Sequence, residues 1–264
     1  MLCHDLTGVG RVQLRLGHAD DAIKSLTGAL VPCEELADQK AEAWVSLYLA
    51  QAQRAAGLPT EALQRLERGQ ALARRLGEDG ILAATLAEAA LVYAAQRDWP
   101  KATAAAQSAA DLHRKLNDTR AQARDMVGMG VALKYQSRLD EAKSRLEDGL
   151  RLAHSGDDSE TEAWSLFEMA AVNLALGNPA LARENLQRSL QLRQADDDLR
   201  GEADCLMELG RRHAGAGEGD AARARLDQAA RLFVKLDERE RAAEAVRVLA
   251  GLPGTGGGVQ ILGQ

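Results

Sequence analysis

The sequence predicts an all-α protein: a solenoid of about six antiparallel helix pairs closed by a C-terminal capping helix. Three observations carry that prediction. Shifted by 40 residues, the chain matches itself at two series of alanines. Each unit of that length holds two stretches with apolar residues at helical spacing, parted by turn residues. The composition also favours helix, because apolar residues make up 46% and aromatics only 3%, with just 5 prolines in 264 residues.

The first alanine series is Ala22, Ala62, Ala102, Ala142, Ala182 and Ala222. The second is Ala43, Ala83, Ala123, Ala163, Ala203 and Ala243, with the small residue Cys3 one step earlier. Four residues after the first series stand Leu26, Leu66, Ala106, Leu146, Leu186 and Leu226. Self-similarity at such a period marks a stacked array. Helices that cross closely need small side chains at the contact and large apolar ones beside it, which is what these slots supply.

Taken in order, the units are 3–38, 39–78, 79–118, 119–158, 159–198 and 199–238. In the first, the register is already running at Cys3, and the turn reads Gly17-His18-Ala19-Asp20. Its second helix contains Pro32, which removes a hydrogen bond and crowds the preceding turn, so a kink or break is expected near residues 29–33. The second unit turns at Gly57-Leu58-Pro59-Thr60 and the third at Arg97-Asp98-Trp99-Pro100, where Trp99 is expected to act as a local staple. The fourth turns near Ser137. In the fifth, Trp164, Phe167, Ala170, Ala171 and Leu174 form a helix face, and Gly177-Asn178-Pro179 reads as a stop, an N-cap and a first helical position. The sixth turns at Gly217-Glu218-Gly219-Asp220. Residues 239–250 supply one more first-type helix, with Ala243, Val246 and Leu249 in register and charged residues outside, as a solenoid end requires. Residues 251–264 read as a flexible, glycine-rich tail, with Val259-Gln260-Ile261-Leu262 as its one stretch able to dock.

This pattern resembles the tetratricopeptide repeat, in the long-unit form found in bacterial regulators and kinesin-light-chain-like adaptors. The family's small residue before the turn corresponds to Gly10, Ala50, Ala90, Gly130, Ala170 and Gly210. Its turn glycine corresponds to Gly17, Gly57, Gly177 and Gly217, with Arg97 and Ser137 departing, and its signature alanine to the series from Ala22 to Ala222. The usual unit has 34 residues, so both helices are longer here. The resemblance implies a right-handed superhelix whose first helices line a concave wall, and a binding platform as its function.

Chemistry is hard to find. The 33 basic and 39 acidic residues are interspersed and the net charge is −6, which leaves no footprint for nucleic acid. No apolar run is long enough to span a bilayer, and no secretory leader is visible. Cys3, Cys33 and Cys205 are far apart and form no paired motif, which suits a reducing cytoplasm. The Gly254-Thr255-Gly256-Gly257-Gly258 stretch lacks the lysine and preceding strand of a phosphate loop. Cys3-His4 is half a metal site at most, and its cysteine occupies a packing slot. The other histidines share no slot, and surface carboxylates read as solubilising or helix-end charges. No cofactor, metal or enzymatic activity is expected.

The inward positions of the first helices collect the few aromatics. They are Trp44, Tyr48 and Arg54 in the second unit, Leu91 in the third, and Arg124, Val131, Lys134 and Tyr135 in the fourth. Trp164 and Phe167 follow in the fifth, and Met207 and Arg211 in the sixth. Aromatic and arginine anchors carry interface energy. Tyr48, Tyr135 and Arg211 sit deepest in the expected groove, whereas Trp44 and Trp164 either bind or pack on the preceding unit. The expected function is a non-enzymatic cytoplasmic scaffold of bacterial composition that binds a peptide or helix with acidic groups. Two alternatives stand beside it: the sensor region of a larger bacterial regulator, and an array that self-associates.

Overall fold

The computed structural model describes residues 2–252, all thirteen of whose regular elements are α-helices. They are α1 (Leu2–Arg15), α2 (Ala19–Glu35), α3 (Gln39–Ala55), α4 (Pro59–Leu76), α5 (Asp79–Ala95), α6 (Trp99–Lys115), α7 (Thr119–Tyr135), α8 (Leu139–Ser155), α9 (Ser159–Ala175), α10 (Pro179–Ala195), α11 (Leu199–Gly215), α12 (Gly219–Lys235) and α13 (Arg239–Ala250). Odd-numbered helices are first-type and even-numbered ones second-type. The docking stretch considered at residues 259–262 lies outside the described residues.

Every connection uses one device. A residue in the left-handed region recurs every twenty positions: Gly17, Ala37, Gly57, Gly77, Arg97, Asn117, Ser137, Asp157, Gly177, Asp197, Gly217 and Asp237. At the end of α3, Gly57 N–H donates to the Arg54 carbonyl at 3.0 Å and Leu58 N–H to that of Gln53 at 2.8 Å. This pair of bonds satisfies carbonyls that the helix end would otherwise orphan. Arg97 and Ser137, which lack the expected glycine, adopt the same conformation with φ of 60° and 59°. On the far side of the links between helix pairs, the Asp38, Asp118, Asp158 and Asp198 carboxylates accept from the Ala41, Ala121, Thr161 and Gly201 N–H groups. These aspartates are N-caps. Asn178 stands at the N-cap of α10 without a side-chain cap bond, contrary to expectation.

Pro32 does not break α2, which runs on to Glu35. The carbonyl that proline leaves without a donor belongs to Gly28, which is exposed and so open to water. The ring also falls in the last turn, so few downstream bonds depend on it.

The helices gather into two compact units, one up to Leu152 and one from Ala153. In the first, Ala22, Ala62, Ala102 and Ala142 are all buried, as are Ala43, Ala83 and Ala123. A third small-residue series, not singled out in the sequence, runs along the second-type helices at Ala29, Gly69, Ala109 and Gly149. A Cβ built on Gly149 would lie 2.6 Å from Val127 Cγ2, so the backbones of α7 and α8 approach too closely for a side chain there. Cys3 and Cys33 join α1 to α2 as a disulfide, so the cysteine pattern gives no ground for a reducing compartment.

In the second unit, Ala163, Ala182, Ala203 and Ala222 are buried, and Phe233 is fully enclosed with Leu226, Leu249 and Leu252 around it. Helix α13 covers that end with Ala242, Ala245 and Leu249, while Ala243 is exposed. The Ala243 slot packs elsewhere on a following second-type helix, as the Ser189 hydroxyl bonded to the Ala163 carbonyl at 2.7 Å illustrates, and α13 is the last described helix. Cys205 is buried beside Ser189, and desolvation pushes its thiol up to about 11.

Candidate partner-binding site

Within the first unit the first-type helices touch in succession, α1 to α3, α3 to α5 and α5 to α7, while α2 and α4, or α4 and α6, show no comparable approach. A stack more tightly spaced on one side bends towards that side, so the first-type helices form the inner wall of this unit.

The recurring Glu-Ala-Trp of α3 and α9 divides its labour three ways. Glu42 is nearly buried and accepts from Arg68 Nε at 2.7 Å; Glu162 likewise accepts from Arg188 at 2.5 Å, with His154 Nδ1 at 3.3 Å. Each glutamate therefore clamps its first-type helix to the second-type helix of the same pair. Ala43 and Ala163 take the helix crossing. The tryptophans are half-buried at the wall. From sequence such carboxylates read as solubilising, because the arginine stands 26 residues away and only the packing of α3 on α4 and of α9 on α10 reveals the pairing.

A cleft of about 250 Å³ opens between α1 and α3. His4, Thr7 and Arg11 line it from α1, and Ala41, Trp44, Val45 and Tyr48 from α3. Trp44 and Tyr48 are stacked, with centroids 5.9 Å apart and planes 17° from parallel. The Arg11 guanidinium lies over the Tyr48 ring at 4.9 Å. Trp44 packs on the cluster of Ala43, Leu72, Ala73 and Ile81, which belongs to its own pair and the next one and not to the preceding unit, and it also lines the cleft.

In the second unit, a cleft of about 230 Å³ is lined by Phe167 of α9, by Asp204, Met207, Glu208 and Arg211 of α11, by Phe233 of α12, and by Arg241 and Glu244 of α13. Met207 is 3% exposed and forms its floor. Arg211 bonds Glu208 at 2.5 Å and also Glu244; Arg241 pairs with Asp204 and lies 4.3 Å over Phe233. Both guanidiniums of this cleft are thus held by the protein's own carboxylates.

The remaining candidates are more scattered. Arg54 bonds the buried Glu88 at 2.5 Å and ties α3 to α5. Leu91 is exposed, Arg124 is exposed, Val131 is half-buried, and Trp164 is half-buried. Tyr135 lies at the last residue of α7, 57% exposed, with its ring stacked on Trp99 at 4.3 Å and Lys134 above it at 4.8 Å. It is a feature of the turn edge, not of the deep wall, and Trp99 serves as its platform in place of the expected staple. The Gln136 amide fixes that edge by donating to Thr103 Oγ1 at 2.8 Å and to the Trp99 carbonyl at 3.2 Å. One further pair is internal: His113 and Asp125 meet at 2.6 Å between α6 and α7, where burial raises the Asp125 carboxyl above its ordinary value and His113 partly offsets the rise. Among the described residues no group of three or more His, Cys, Asp or Glu gathers as a metal site, and no helix is long and apolar enough to cross a membrane.

No family model and no curated protein matches this sequence. Many solved structures do match in fold. The apo form of RapI superposes with a TM-score of 0.73 at 13% identity, covering 94% of this chain and 96% of that one. A Rap protein complexed with competence and sporulation factor gives 0.65 at 15% identity, over 92% and 72%. A signal transduction ATPase with a tetratricopeptide repeat sensor, from Pyrococcus horikoshii, gives 0.72 at 17% identity, over 93% of this chain and 36% of that one. At such identities the likeness establishes the fold: a tetratricopeptide-like array of helix pairs.

Proposed function

We propose that this tetratricopeptide-like array is a scaffold that binds a peptide or a helix of a partner protein on its first-helix walls. One observation carries the reading: in each unit a cleft opens on first-type helices and is lined by aromatic rings and arginines, the residue types that anchor interfaces. The Rap conjugation gene regulator of the plasmid pLS20, a structure of similar fold solved in complex with the Phr* peptide, supports a peptide as partner. Arg11, exposed at the first cleft and outside the ion pairs that hold the other cleft's arginines, favours a segment with an acidic group.

The test is selection of random twelve-residue peptides displayed on phage against the full chain. Selected peptides should bind wild type and weaken on Tyr48→Ala or on Phe167→Ala/Arg211→Ala, with helical circular dichroism unchanged. Peptides that bind every variant equally, or a selection that enriches none, would sink the proposal. A second reading, the sensor region of a larger regulator, is favoured by the likeness to the Pyrococcus ATPase. Immunoblotting of the source cell tests it, since a single band at 28.3 kDa rejects it.

A further inference from the structure

The cleft between α1 and α3 has one property that its counterpart in the second unit lacks. Among the described residues, no carboxylate lines it. Arg11 is exposed and forms no ion pair among the described residues, whereas Arg54, Arg68, Arg188, Arg211 and Arg241 all do. Glu42, the acidic residue of α3, is already held by Arg68. The Arg11 guanidinium sits over the Tyr48 ring, a cation–π contact that uses its face and none of its N–H donors. Such a fork matches a carboxylate, with two parallel bonds. Beside it, Trp44, Val45 and Tyr48 offer apolar area. At about 250 Å³ the space falls below the roughly 300–1,000 Å³ of small-molecule sites, so it suits a side chain and its neighbour.

We propose that this cleft is an anion subsite that takes the side-chain carboxylate of an Asp or Glu in the docked peptide on Arg11, with the adjoining apolar residue on Trp44 and Tyr48. This rests on the peptide-binding reading above. A side-chain carboxylate is favoured over a chain terminus because the wall continues from α3 to α5 and α7, so a bound segment runs on past the cleft.

The experiment uses the strongest phage-selected peptide, synthesised with acetylated and amidated ends, and fluorescence anisotropy on the full chain. Arg11→Gln should weaken binding roughly tenfold, the scale of one charge-assisted hydrogen-bonded pair near a surface. Exchanging the peptide's Asp or Glu for its amide should cost wild type the same factor and cost Arg11→Gln nothing further. Arg75→Gln, an exposed change on α4, should leave binding unchanged. A peptide without an acidic residue, equal binding by Arg11→Gln and wild type, or a demand for a free C-terminal carboxylate would each overturn the subsite while leaving the peptide-binding reading intact. Failure to select any peptide removes both.

Discussion

Seven of the twelve turn residues at positive φ are not glycine, and each stores strain that the folded array tolerates. The left-handed conformation costs an L-residue about 1–2 kcal/mol, less for Asn and Asp. Glycine gives back about 0.4–1 kcal/mol through the unfolded chain. Arg97→Gly is therefore expected to raise stability by about 0.5–1 kcal/mol, seen as a higher urea midpoint with unchanged slope. An unchanged or lower midpoint would show that Arg97 contributes something the turn geometry does not explain. The sequence marked Arg97 and Ser137 as departures from the glycine pattern. It could not show that they keep the glycine conformation, because that is imposed by the carbonyls of the preceding helix, such as Tyr93 and Ala94, which the next two N–H groups must reach. The buried His113–Asp125 pair was equally illegible: its partners share no repeat slot, so only three-dimensional proximity connects them.

Helix starts and close crossings decide stability one level up. Asp118 caps α7 with a bond of 3.0 Å to Ala121 N–H, so Asp118→Ala should cost about 1 kcal/mol in urea denaturation. Asn178→Ala should cost distinctly less, because that amide makes no cap bond; equal losses would contradict the assignment. Pairing and close contact of the helices could be read from the alanine series, since periodic packing leaves a periodic trace. The glycine-lined approach of α8 to α7 escaped notice because its slot changes identity, Ala29 to Gly69 to Ala109 to Gly149, while remaining small.

At the scale of the whole chain, the fold was legible and the lining of the clefts only partly so. Slots that face a neighbouring helix are constrained to repeat, whereas the wall positions that line the clefts carry no internal copy to compare. Trp44, Tyr48, Phe167, Met207 and Arg211 line the two clefts, Tyr135 lies at the turn edge, and Arg11 carried no signal in the sequence. The end of the array is a further test. Truncation after Glu238 removes α13 and bares Phe233, so the shortened chain should melt earlier and self-associate in light scattering; a monomer of unchanged melting temperature would show that α13 is no cap. The left-handed residue recurring every twenty positions also has an evolutionary corollary. Since all links share one geometry, recombination between equivalent positions in the gene can excise or duplicate a whole unit without putting later helices out of phase, so the length of this protein is a trait that selection can adjust in discrete steps.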